Sequence, residues 1–153
     1  MRILLVDDSL KHRRAGVRAL GAEGHTVVAH CDYGEALASA KREYFDAALV
    51  DLLMPAESTT LGPKAIEEFV GREIAIGFPL VLALSLLGIP RIVVATDTNH
   101  HNHPMSAVVD WFEGRLQSVN GARVHIIHAK LDADGSKDWA HALEVATMEV
   151  VPR

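Results

Sequence analysis

Ile3-Leu4-Leu5-Val6-Asp7-Asp8-Ser9 decides the fold of this chain: four apolar residues run straight into two acids. A short β-rich apolar run bounded by polar residues predicts a strand, and three further runs share its form. Ala47-Ala48-Leu49-Val50 closes on Asp51, Ile92-Val93-Val94-Ala95 closes on Thr96, and Val124-His125-Ile126-Ile127 leads to Lys130. Ligands of a parallel α/β sheet bind outside the carboxyl ends of its strands. Asp7, Asp8, Asp51, Thr96 and Lys130 are therefore expected to converge on one crest. Three carboxylates, a hydroxyl and an ammonium can together hold a divalent metal and accept a phosphoryl group on an aspartate.

Working outward, strand and helix alternate five times. The predicted strands are Arg2 to Asp7, Thr26 to His30, Ala47 to Asp51, Arg91 to Thr96 and Arg123 to Lys130. The first helix follows Ser9, a side chain suited to accept from the free N–H groups of a helix start, and stops at Gly21. The second opens at Asp32, with Glu35 three residues on forming a capping-box-like pair, and continues to about Tyr44. Pro104 marks the first turn of a helix ending near Gly114. A last helix opens near Ser136, with Trp139, Leu143 and Ala146 on one inward stripe. Five such units with right-handed crossovers predict a three-layer, doubly wound, five-stranded parallel sheet of flavodoxin-like type. Residues 52–90 exceed what one helix and two short loops need, so an enlarged third-helix region with an insertion around 56–80 is expected within a single domain, 1–153.

Composition narrows the function. The chain has 153 residues, 49% of them hydrophobic, enough for one domain with a substantial core. A net charge of −5 without a Lys/Arg run argues against nucleic-acid binding. The densest basic patch, Lys11-His12-Arg13-Arg14, is expected to be a solvated helix face. Cys31, the single cysteine, fits a reducing cytoplasm and is expected to be buried and inert. Ile74 to Pro90 carries no charge, yet it is short for a membrane span and is broken by Gly77, Pro79 and Gly88. It predicts a helix buried against the sheet, or lying in a homodimer interface because its outward positions are also apolar; no membrane association is expected.

The residues at the crest resemble the receiver domain of bacterial response regulators. Ile3 to Ser9 is similar to the receiver opening, Asp51-Leu52-Leu53-Met54-Pro55 to its Asp-x-x-Met-Pro phosphoacceptor segment, Thr96 to its strand-end hydroxyl residue and Lys130 to its lysine. The match is dense over residues 1–55 and rests on strand order and single residues afterwards. It implies that Asp7, Asp8, Asp51 and the carbonyl of Leu53 hold Mg²⁺, whose octahedral oxygen shell suits carboxylates plus phosphate. It implies further that Asp51 is the nucleophile and that Thr96 and Lys130 bind the phosphoryl oxygens. The partners implied are a histidine kinase or phosphotransfer protein and a downstream protein target, in the cytoplasm, with no enzymatic activity beyond phosphorylation and dephosphorylation at Asp51.

The chain also departs from that pattern. Asp97 stands where a small residue usually leaves the phosphoryl site open, Leu131 replaces the proline after the lysine, and Ile127 stands where an aromatic is usual. The segment Asp97-Thr98-Asn99-His100-His101-Asn102-His103 groups an acid with three histidines, so Asp97, His100, His101 and His103 form a possible additional metal or phosphate site. His103 also suits the start of the following helix. Three functions are consistent with these residues: a single-domain response regulator phosphorylated on Asp51, a pseudo-receiver acting as a phosphorylation-independent interaction or dimerisation module, and a metal-dependent phosphatase or hydrolase using the acidic crest with His100, His101 and His103.

Overall fold

The computed structural model describes residues 1–98 and 101–148. Its elements run β1 (Arg2–Val6), α1 (Leu10–Ala22), β2 (Thr26–His30), α2 (Tyr33–Arg42), β3 (Ala47–Asp51), β4 (Met54–Pro55), α3 (Pro63–Phe69), β5 (Glu73–Ile74), α4 (Gly77–Leu86), β6 (Arg91–Thr96), α5 (Pro104–Val109), β7 (Gln117–Val119), β8 (Ala122–His128) and α6 (Trp139–Thr147). The main sheet has the order β2-β1-β3-β6-β8-β7. Its first five strands are parallel, and β7 pairs antiparallel with β8. The doubly wound parallel sheet is therefore as expected, with a sixth strand at the edge. That strand is three residues long and reverses through Asn120 and Gly121, both at positive φ.

Successive side chains of a strand point to opposite faces, and the core divides accordingly. Ile3, Leu5, Ala47, Leu49, Val93 and Ala95 face α1 and α6 and pack with Leu20, Trp139 and Leu143. Leu4, Val6, Ala48, Val50, Ile92 and Val94 face the other side and pack with Ala36, Leu80, Val81 and Leu84. The capping signals act as their residue types dictate: Ser9 accepts from His12 N–H, Asp32 from Glu35 N–H and His103 from Met105 N–H.

The chain between β3 and β6 forms two helices and a small antiparallel pair, β4 with β5. The apolar run 74–90 supplies the end of β5 and then α4, whose start lies against the end of β3. Gly77 N–H donates to Leu52 O at 3.0 Å, and a Cβ at position 77 would lie 2.7 Å from Asp51 O. Only glycine permits that approach. Leu80 and Leu84 are buried, and the outward Leu82 and Leu86 are exposed. No helix among the described residues is long and apolar enough to cross a membrane. Cys31 is exposed, not buried, because it follows the last residue of β2 at the open end of the sheet. The basic patch is only partly solvated, since His12 is buried and Arg13 half-buried.

Candidate functional site

Alternation along the strands carries one row of side chains up to the crest. On the α1/α6 face, Ile3 and Leu5 lead to Asp7, Leu49 leads to Asp51, and Val93 and Ala95 lead to Asp97. Strand register aligns them, with Leu5 beside Leu49 and Asp51 beside Ala95. Three carboxylates thus reach the same corner of the sheet. At their centre is an ammonium: Lys137 Nζ lies 2.9 Å from Asp7 Oδ2, 2.8 Å from Asp51 Oδ1 and 3.2 Å from Asp97 Oδ1.

The lysine expected at this point was Lys130, which is exposed. The chain after β8 does not enter its helix directly. Residues 131–137 fold back on themselves, with Leu131 bridged to Lys137, Asp132 N–H donating to Ser136 O and Gly135 N–H to Asp132 O. Gly135 takes φ +76°, a turn conformation that side chains resist. Ser136 donates from both its N–H and its hydroxyl to Asp134 Oδ1, and Lys11 Nζ donates to Asp134 O, tying the turn to α1. Asp138 then accepts from His141 N–H and starts α6. The turn returns the chain to the crest, so the lysine seven residues further along is the one that enters the site. The Asp134-Gly135 pair, a strong reversal signal, marks this turn in the sequence.

The surrounding shell is braced. Ser9 N–H donates to Asp7 Oδ1 at 2.8 Å. Arg13 Nη1 donates to the carbonyls of Asp7 and Asp8 at 2.6 and 2.7 Å, which fixes the β1–α1 loop from the first turns of α1. His12 joins three elements: its Nδ1 accepts the Lys137 N–H at 3.1 Å, and its Nε2 lies 3.2 Å from Asp97 Oδ2. A ring nitrogen that accepts an N–H carries no proton, so the Nε2–H tautomer donates to Asp97.

Burial and charge compete in this cluster. Burial raises the Asp7 carboxyl above its ordinary range, against the opposing pull of Lys137. Burial pushes Asp51 up to about 7, with the neighbouring charges of Asp7 and Asp97 adding to the rise and Lys137 opposing it. For Asp97, at the rim, the cost of burial is smaller than the gain from Lys137 and His12, and its carboxyl is held below the usual range. Burial alone would lower the Lys137 pKa, but Asp51, Asp7 and Asp97 outweigh it and hold the ammonium protonated.

A cation fits the same corner. One carboxylate oxygen each from Asp7, Asp8 and Asp51 lies within 4.8 Å of the others, and Asp8 is exposed, leaving an open approach. Asp51 Oδ1 is buried beside Lys137 Nζ at 2.8 Å. An all-oxygen set of this kind matches Mg²⁺ or Ca²⁺. Leu53, whose carbonyl was expected to assist, is buried two residues beyond Asp51.

Thr96 is buried at the end of β6, where its hydroxyl accepts from Thr98 N–H at 3.2 Å. By alternation it follows Ile92 and Val94 and so stands apart from the Lys137 row. The additional set Asp97, His100, His101 and His103 falls partly outside the described residues. Asp97 turns to Lys137, His103 caps α5, His101 is exposed, and His100 lies outside the described residues. Asp110, Glu113 and His128 do meet, with His128 Nε2 2.8 Å from Asp110 Oδ1, a grouping that the sequence reading missed.

Neither a protein-family model nor a curated protein sequence matches the chain. Solved structures do match. Chemotaxis protein CheY4 of Vibrio cholerae aligns over 95% of this chain and 97% of its own, with TM-score 0.57 and 20% identity. A CheY-like receiver domain protein of Methanospirillum hungatei aligns over 94% and 90%, with TM-score 0.57 and 19% identity. A response regulator of Burkholderia pseudomallei, solved with a phosphorylated aspartic acid and a calcium ion, aligns over 94% and 71%, with TM-score 0.52 and 21% identity. The fold is that of a response regulator receiver domain.

Proposed function

We propose that this chain is a receiver domain that accepts a phosphoryl group on Asp51 in two-component signal transduction. The observation that carries the reading is the Lys137 ammonium 2.8 Å from Asp51 Oδ1, beside the open Asp7–Asp8–Asp51 oxygen cluster. Asp7, Asp8, Asp51 and the Leu53 carbonyl would hold Mg²⁺, which supplies positive charge for the transferring phosphoryl oxygens. An Asp51 carboxylate oxygen attacks phosphorus as the bond from phosphorus to the donor's nitrogen or oxygen breaks. The electron pair of that bond leaves with the donor, giving an aspartyl phosphate. Lys137, 2.8 Å from Asp51 Oδ1, is placed to neutralise charge on the phosphoryl oxygens. Positioning and charge account for most of the catalysis in such transfers. The phosphodonor partner would be a histidine kinase or phosphotransfer protein in the cytoplasm, and the output a protein contact, with a homodimer through the exposed Leu82 and Leu86 as one form of it.

The Burkholderia neighbour, carrying its phosphorylated aspartate and divalent ion, supports this chemistry for the fold. Acetyl phosphate with Mg²⁺ tests it: wild type gains one phosphoryl mass, and Asp51→Asn gains none. The pseudo-receiver reading draws on one specific observation, that Lys137 already has three carboxylate partners. Absence of label in wild type under these conditions would favour it.

A further inference from the structure

An ammonium has three N–H donors, and Lys137 is surrounded by three carboxylates. An incoming phosphoryl oxygen can reach it only if one of them gives way. Asp7 is fully buried and held by Ser9 N–H, and Asp51 is itself the acceptor. Asp97 differs from both: its contact to Lys137 is the longest at 3.2 Å, its side chain is one-third exposed, and its other oxygen already has a second partner in His12 Nε2 at 3.2 Å. His12 is in turn fixed from behind by the Lys137 N–H.

We propose that Asp97 is a resident anion on Lys137 that the phosphoryl group must displace, with His12 as the positioning residue that retains it once displaced. This rests on the reading of Asp51 as phosphoacceptor. Phosphorylation then exchanges one anion for another on the same ammonium, and the site's net charge changes less at Lys137 than at the rim. The displaced carboxylate belongs to the first residue after β6, so the exchange acts on the β6–α5 connection. The chain would thereby couple phosphorylation to that loop through a carboxylate.

Beryllofluoride binding in the presence of Mg²⁺, followed by ¹⁹F NMR, tests the exchange. Asp97→Asn keeps the shape and removes the charge. It should tighten beryllofluoride roughly tenfold, the size of one like-charge contact in a water-like medium. His12→Leu should weaken binding more when Asp97 is present than in the Asp97→Asn background, where only the contact to the Lys137 N–H is lost. Equal affinity in wild type and Asp97→Asn overturns the displacement while leaving the phosphoacceptor reading intact. An equal effect of His12→Leu in both backgrounds overturns the retaining role of His12. Binding in neither wild type nor Asp97→Asn, with both proteins folded, overturns the inference together with the reading beneath it. Asp97→Ser serves as a second charge-removing variant should Asp97→Asn fold poorly.

Discussion

The two sides of the sheet are finished differently. On the α1/α6 side the packing is closed: a Cβ at Gly16 would lie 2.6 Å from Leu5 Cδ2 and 2.8 Å from Trp139 Cδ1, so α1 sits directly on both strand and helix. On the other side α5 is only six residues long, and a cavity of about 500 Å³ opens between α4, β7 and β8, lined by Phe78, Val81, Leu82, Phe112 and Val119. Every charged group of the Lys137 cluster rises from the closed side. The lysine shared among three carboxylates thus sits on a tightly packed wall, and interiors packed to that density transmit rather than absorb displacement. The open side has no such duty, and its exposed leucines can serve contacts with other molecules.

The largest effect that can break this contrast is Lys137→Met. It leaves Asp7 and Asp51 buried without a counter-charge, and loss of one partner of a buried pair costs about 3–5 kcal/mol. Urea unfolding at pH 7 should show that loss, whereas Lys130→Met should stay within about 0.5 kcal/mol as a surface change. Equal losses would mean that the 131–137 turn does not set which lysine serves the site. Next in size is Gly16→Val, which overpacks the α1/α6 wall and should cost about 1–3 kcal/mol or more. Leu86→Gln, on the open side, is expected to lie within about 0.5 kcal/mol by the same melts.

A smaller effect comes from pH. Asp51 has its pKa raised from 3.8 to about 7 by burial. The folded state therefore binds a proton that the unfolded state releases. Its stabilising contribution is present in full below about pH 4 and is lost as pH rises through about 7. In the absence of divalent ions, wild type should lose stability relative to Asp51→Asn across that window and hold a constant difference above it. A difference that does not change with pH would place Asp51 in a better-solvated setting than the closed wall implies.

Much of the crest was legible because the strands announce themselves. Uniformly apolar runs ending in Asp7, Asp51 and Thr96 fix strand positions, and alternation then fixes which acids share a face. The caps at Ser9, Asp32 and His103 follow from side-chain chemistry alone. The lysine was not legible from strand order, since Lys130 and Lys137 lie on the two arms of one reversal and only the returning arm reaches the carboxylates. His12 was hidden in a patch whose composition reads as solvated, because one buried turn of α1 places it between Asp97 and the Lys137 backbone. The strand β7 is three residues long and polar at its centre, below what periodicity resolves.

The contact between Lys137 and Asp7 spans 130 residues of sequence. A pairing so distant carries a loop-closure cost that ordering of the intervening sheet lowers. Until the 131–137 turn docks, Asp7 and Asp51 lie side by side at a half-built crest with no cation from the chain itself. The site is thus completed by a contact between distant parts of the chain, and a chain with the 131–137 turn undocked would carry the acidic corner without the ammonium that gives it a use.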